Sequence, residues 1–178
     1  YLIKLDMICK IAERSDTSSA VTYRLGVAQP GLRYAQADAL AEALLEDNVF
    51  GELPLSERNT VLDRIRNEIK GRMMEDIVLL ETQLANRKKE VFTYQFAIGE
   101  FDMVIFDPKT ASCAIYEIKH STEVVKAQYR HLIDEEKCKA TEWRFGPITG
   151  KYVIYRGESC DVNGIHYLNV EEYLKGLA

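Results

Sequence analysis

The chain has 178 residues, of which 47% are hydrophobic and 29% charged, and its formal net charge is −5. That length suits one ordinary domain, or one domain with an appendage, and the apolar content is enough for a real core. The acidic balance excludes a protein that holds nucleic acid by overall charge alone, and no run approaches the ~18 apolar residues of a membrane span.

The opening segment YLIKLDMICKIAER places Leu2, Leu5, Ile8 or Cys9, and Ala12 at helical spacing, which predicts a first helix that ends at SDTSS. GVAQPGLR reads as a loop, marked by Gly26, Pro30 and Gly31, and YAQADALAEALLED as a second helix with Leu40, Leu44 and Leu45 turned to a core. After a broken stretch around Gly51 and Pro54, the longest helical pattern runs from Thr60 to Leu84. Its apolar stripe is Val61, Leu62, Ile65, Ile69, Met73, Ile77, Leu80 and Leu84.

The period then changes. VFTYQFA (91–97), EFDMVIF (100–106) and CAIYEIK (113–119) are rich in β-branched and aromatic residues and predict three strands. Residues 122–140 return to a helical pattern with Val125, Tyr129, Leu132 and Ile133 inward, KYVIYRG (151–157) reads as a further strand, and NVEEYLKGLA as a closing helix. The expected class is therefore mixed α/β (α+β), with a helical extension over residues 1–55 and a main domain over 56–178. The first residue is Tyr1 rather than Met, as in a piece of a longer protein, and no secretory signal opens the chain. Four cysteines without a CxxC pair and three scattered histidines point to a reducing cytoplasm rather than to zinc or a disulfide framework.

Each strand of the hairpin carries an acid inside its apolar run. With a four-residue turn over 108–111, Asp107 pairs with Ser112, and five steps back Asp102 stands across from Glu117. Alternation puts Glu100, Asp102, Val104 and Phe106 on one face, and Cys113, Ile115, Glu117 and Lys119 on one face of the next strand. Opposed carboxylates repel and lose hydration among apolar neighbours, so they call for a cation. Glu75 sits on an apolar turn of the long helix and raises the same demand. Three such acids can converge on a hard divalent ion such as Mg²⁺. The bland alternatives are a solvent-facing Asp102, exposed Glu117 and Lys119, an (i, i+3) pair of Glu75 with Arg72, and a solvated Glu100.

At these residues the chain resembles the PD-(D/E)XK nuclease superfamily. Asp102 matches the acid on one strand, Glu117 and Lys119 in EIK match the acid–any–lysine triplet on the next, and Glu75 matches the helix acid. The proline of the signature is missing, since Phe101 precedes Asp102. The resemblance implies a restriction-endonuclease-like core (helix, three strands, helix, strand) over residues 60–156, and Gln128 falls where many members carry a glutamine. It implies phosphodiester hydrolysis of nucleic acid, with DNA the expected substrate, through Mg²⁺ or Mn²⁺ held by Asp102, Glu117 and Glu75. Few aromatic–basic alternations suggest a base-stacking platform, so little sequence specificity is expected. Lys119 would orient the water or offset developing charge, and Gln128 would hold the nucleophile or a phosphate oxygen. Arg87, Lys88, Lys89, Lys126, Arg130, His120 and His131 are the candidate phosphate contacts. PGLRYAQADAL, KGRMMEDIVLLE and GEFDMVIFD…EIKHS further resemble the C-terminal region of bacterial AAA-type ATPases, which implies an upstream ATPase module. A pure docking domain of such an ATPase, with a silent nuclease fold, is the second expectation.

Overall fold

The computed structural model of the chain describes residue 3 and residues 7–177, apart from the side chains of Pro30 and Arg33. Ile8–Ser15 (β1) and Ser18–Val27 (β2) form an antiparallel pair. Residues 8–14 are thus extended where a helix was expected; Leu2 and Leu5, which carried part of that expectation, lie outside the described residues. The physical reason is an ambiguous pattern: Cys9, Ile11 and Glu13 also alternate with period two, and short apolar runs fit either period. Pairing decides the matter, since Ala12 to Ser15 run parallel to Phe92 to Gln95 and join this segment to the main sheet.

Three helices follow, Pro30–Leu45 (α1), Asn48–Gly51 (α2) and Leu55–Ala85 (α3). Then come Glu90–Gln95 (β3), Glu100–Asp107 (β4) and Ser112–Lys119 (β5). A 3₁₀ turn over Lys126–Tyr129 and Glu135–Phe145 (α4) lead to Ile148–Tyr155 (β6), Cys160–Val162 (β7), Ile165–Asn169 (β8) and Val170–Lys175 (α5). The eight strands make one mixed sheet in the order β2-β1-β3-β4-β5-β6-β8-β7. Among the described residues no helix is long and apolar enough to cross a membrane.

The sheet is covered on both faces. On one side Phe92, Tyr94, Phe101, Val104 and Ile115 pack under Tyr129, Leu132 and Phe145, with the Phe92 and Phe145 rings 5.0 Å apart. On the other, Ile11, Val91, Met103, Tyr116, Ile118 and Ile154 pack under Met74, Val78 and Leu79 of α3. Only the C-terminal half of α3 lies on the sheet; Leu62 in its other half meets Ala41 and Phe50 in a small separate cluster. A 31-residue helix spans about 45 Å, long enough to serve both ends. Its buried stripe sits one position later than expected, on Met74 and Val78 rather than Met73 and Ile77, and Val61 and Leu84 are exposed.

The expected helix over 122–140 is broken in two. Asp134 caps α4 by accepting hydrogen bonds from the Glu136 and Lys137 amides at 3.1 and 3.2 Å, which starts a new helix with its own axis. Val125 and Ile133, expected inside, are exposed, while Tyr129 and Leu132 are buried. The chain leaves α4 at Gly146, whose φ is +77°, against the backbone of Ala111 in the β4–β5 turn.

A pair of glycine substitutions tests this closure. Gly164 has the same φ of +77° but open space beside it, whereas a Cβ on Gly146 would stand 1.7 Å from the Ala111 carbonyl oxygen. Gly164→Ala is expected to lower unfolding free energy by about 1–2 kcal/mol from backbone strain. Gly146→Ala is expected to exceed that by about 1–3 kcal/mol, because backbone must also move. Urea denaturation of the two variants checks the difference.

Candidate active site

The β4–β5 hairpin holds the register that its turn dictates. Asp107 pairs with Ser112 and the ladder continues to Met103 opposite Tyr116. One step further lie Asp102 and Glu117, where the regular pairing has ended. There the Asp102 side chain takes over from the backbone: its Oδ2 accepts from the Ile118 amide at 2.7 Å. The opposite edge of β4 contributes as well. Phe92 pairs with Val104 and Tyr94 with Phe101, so Asp102 and Met103 together face Thr93 as a bulge. The bulge breaks simple alternation: Phe101, Val104 and Phe106 belong to the α4-side core, which separates Val104 and Phe106 from the face expected for Asp102.

Lys119 joins the two acids. Its Nζ lies 2.6 Å from Asp102 Oδ2 and 2.6 Å from Glu117 Oε2. Glu117 is only 2% exposed, and its second oxygen, Oε1, is buried with no hydrogen-bond partner. Burial, and next the Asp102 carboxylate, push the Glu117 carboxyl upward. Burial works against the Lys119 charge, but Asp102 and then Glu117 outweigh it and hold the ammonium above its ordinary range.

Glu75 approaches from α3. Burial and then Asp102 push its carboxyl up to about 7, with Lys119 and Arg72 pulling the other way. Arg72 itself is paired with Glu68, Nε to Oε1 at 3.2 Å, so Glu75 does not form the local pair its spacing offered. Burial and Asp102 also raise Glu100. Asp102 and Lys119 therefore act on Glu75, Glu100 and Glu117 alike. Among the described residues, no three or more His, Cys, Asp or Glu side chains stand arranged to hold a metal ion. The space between Asp102 and Glu117 is taken by the Lys119 ammonium.

Gln128 is engaged differently from the resemblance's expectation. Its Oε1 accepts from the Val125 amide and the Tyr167 hydroxyl, each at 3.3 Å, and so closes the 3₁₀ turn. The splitting of the expected helix explains this, since the turn bends the chain before α4 begins. Arg87, Lys88 and Lys89 lie at the wrong end of the sheet: Lys89 pairs with Asp107, five residues or about 17 Å along β4 from Asp102. Lys126 is exposed on the 3₁₀ turn.

Two groups of cations do border the cluster. Arg156, just past β6, is held by its amide to the Ser121 carbonyl at 2.8 Å, and its guanidinium meets His120 Nε2 at 3.3 Å. Burial, then Arg156 and Lys70 of α3, depress the His120 pKa, so the ring stays neutral and accepts from Arg156. On the other side His131 lies against Gly99, and Lys137 contacts its Nδ1 at 2.6 Å. Burial, then Lys137, Arg130 and Lys119, hold the His131 pKa down as well. Lys70, Lys137 and Arg156 had no recognisable spacing in the sequence; strand ends and a helix turn bring them here. A cleft of about 640 Å³, bordered by Arg64, Asn67, Arg72, Glu75 and Glu100, runs from the cluster along α3.

The raised Glu75 carboxyl has a consequence for stability. It binds its proton more tightly folded than unfolded, so its contribution falls as pH rises from 4.5 to about 7. Glu75→Gln, measured by urea denaturation with EDTA present, is expected to be about 1–3 kcal/mol more stable than the parent at pH 8 and nearly equal to it at pH 4. A parent at least as stable as the variant at pH 8 would remove the burial account of Glu75.

The chain matches no protein-family model, no curated protein and no solved structure. What this site does follows from its own residues.

Proposed function

We propose that the chain is a metal-dependent phosphodiesterase domain that hydrolyses nucleic acid at the Asp102–Glu117–Lys119 cluster. One observation carries this: two carboxylates converge on a single point, and the more deeply buried one keeps an oxygen, Glu117 Oε1, with no partner. An unsatisfied carboxyl oxygen in a protein interior is costly unless a ligand completes it. A hard divalent cation, Mg²⁺ or Mn²⁺, fits that need. Asp102 and Glu117 would hold it, with Glu75 as the third oxygen donor from α3. When bound, such an ion supplies positive charge at a phosphate and makes a coordinated water more acidic.

The remaining roles belong to the chain. Lys119, released from part of its double ion pair, would direct its ammonium to the non-bridging phosphate oxygens as negative charge develops. Arg156 and Lys70 on one side, with Arg130 and Lys137 on the other, would hold phosphates flanking the scissile one. This local placement answers the net charge of −5: the cations sit where the backbone of a nucleic acid would pass. The run α3, β3–β5, α4, β6 supports a restriction-endonuclease-like core, the PD-(D/E)XK arrangement, with the acids on two adjoining strands and the preceding helix.

A second reading has its own support. Lys119 is already ion-paired with both acids, so the cluster holds together as a triad of side chains. In that case the domain is a silent nuclease fold that docks to or regulates an ATPase module elsewhere in a longer chain.

Incubation with plasmid and single-stranded DNA in Mn²⁺ separates the two. The parent is expected to cut, and Asp102→Ala or Lys119→Ala to cut about 10²–10³-fold more slowly while retaining the parent's circular dichroism. Calorimetric titration with Mn²⁺ is expected to give heat that disappears in Glu117→Ala. A parent that neither cuts nor binds Mn²⁺ favours the docking module. Arg156→Ala and Lys70→Ala are expected to weaken DNA binding in EDTA uniformly across sequences, each reducing the salt dependence by about one phosphate contact.

A further inference from the structure

The two edges of the sheet are unlike. At one end β7 has three residues, Cys160–Val162, too short to offer much to another strand. At the other, β2 runs for ten residues, Ser18–Val27, and among the described residues only β1 pairs with it. Exposed edges are normally blunted by lysine, proline, brevity or a covering element. The β2 sequence SSAVTYRLGV has neither lysine nor proline. Its single charge, Arg24, turns back to its own chain, 3.3 Å from Glu13 and 2.8 Å from Asp76.

Alternation sorts the strand cleanly. Thr22, Arg24 and Gly26 share the face toward α3, where Gly26 lies close to Cys9 and Ile11. Val21, Tyr23, Leu25 and Val27 share the other face, and all four are exposed, Tyr23 and Leu25 at 59% each. Elsewhere on that face the 3₁₀ turn and α4 cover the sheet, and their apolar packing extends to Ala12 on β1. α4 reaches β2 at its first residue, where Arg144 donates to the Ser18 carbonyl at 2.6 Å, and Lys10 of β1 lies 5.4 Å from the Tyr23 ring. An apolar stripe thus runs along a strand edge that is open among the described residues.

From this edge we infer that the chain self-associates, a second copy adding its β2 antiparallel to the first about a two-fold axis normal to the sheet. Such an axis keeps like faces together, so a stripe residue always opposes a stripe residue or its equivalent two places on. Centred on Tyr23, the register sets Tyr23 against Tyr23, Val21 against Leu25 and Thr22 against Arg24. Aromatic and β-branched cross-strand pairs are stabilising, and no like charges meet. The strand is self-complementary in charge, face and length. A ten-residue edge of about 34 Å, roughly 10 Å deep with its side chains, gives ~340 Å² per partner, below the ~800 Å² typical of tight complexes. The dimer is accordingly reversible and concentration-dependent.

Sedimentation velocity of the purified chain, from dilute to concentrated solution, tests this together with charge variants at the two-fold. The parent is expected to show a monomer–dimer equilibrium with no larger species. Tyr23→Lys and Tyr23→Glu are each expected to weaken association at least about tenfold, because residue 23 would oppose its own charge. An equimolar mixture of the two is expected to restore the dimer, lysine now facing glutamate. Circular dichroism reports folding; if one variant fails to fold, the loss of dimer in the other still decides. The inference is overturned by a parent that stays monomeric, by open-ended oligomers, by variants that associate like the parent, or by a mixture that stays monomeric. None of these readings depends on cleavage or metal binding.

Discussion

A carboxylate drawn out of water must find positive charge or hydrogen-bond donors, and Glu117 faces that demand in the middle of an eight-stranded sheet. Lys119 answers it from two residues along the same strand, which places both side chains on one face, and Asp102 reaches the same ammonium from β4. Much of the local backbone follows from this contact. The β4–β5 ladder ends at Met103 and Tyr116, the Asp102 carboxylate receives the Ile118 amide, and the bulge opposite Thr93 gives Asp102 its own direction apart from Val104. A site that gathers charge this closely carries a cost in folding, and the thick aromatic core beneath α4 and the aliphatic layer beneath α3 offset it.

The long helix sets where that cluster can be approached. Its C-terminal half is packed on the sheet through Met74, Val78 and Leu79, and its N-terminal half leaves the sheet to meet Ala41 and Phe50. Glu75 lies near the point where the helix changes partner, so it is buried enough to have a raised pKa and still borders an open cleft. Charge is layered around this point. Acids are at the centre, and Lys70, Arg156, Arg130 and Lys137 stand at the rim beside two histidines whose pKa burial, and then those cations, lower. An acidic protein can present a basic rim in this way, because what a phosphate meets is the local arrangement rather than the sum over the chain.

How much of this was legible depends on how local the cause was. The hairpin was readable because its turn is four residues long and its strands alternate; Asp107 and Ser112 pair as counted. The same count set Asp102 across from Glu117, but the ladder ends one step short, at Met103 and Tyr116. The bulge at Asp102 was not readable, for it arises from β3, a strand that the hairpin's own sequence does not contain. Residues 8–14 were misread because Leu2, Leu5, Ile8 and Ala12 satisfy a helical spacing that strand pairing with β3 overrides. The break before α4 did have a local signal, Asp134 followed by Glu135 and Glu136, and it was masked by the helical spacing of the hydrophobics around it. Gln128 lost its expected place for that reason.

By itself, the sequence determined what short-range chemistry can determine: a strand-rich middle, a long helix before it, and an acid–any–lysine triplet whose period-two spacing puts Glu117 and Lys119 on one face. Tertiary structure alone decided which charges meet. It brought Asp102 and Glu75 to Lys119, set Arg156 and Lys70 beside His120, and left β2 as a long edge whose single charge, Arg24, is paired within its own chain. The physical reason is that side-chain direction follows from backbone period within an element, whereas proximity between elements follows from sheet order and from which apolar faces bury one another.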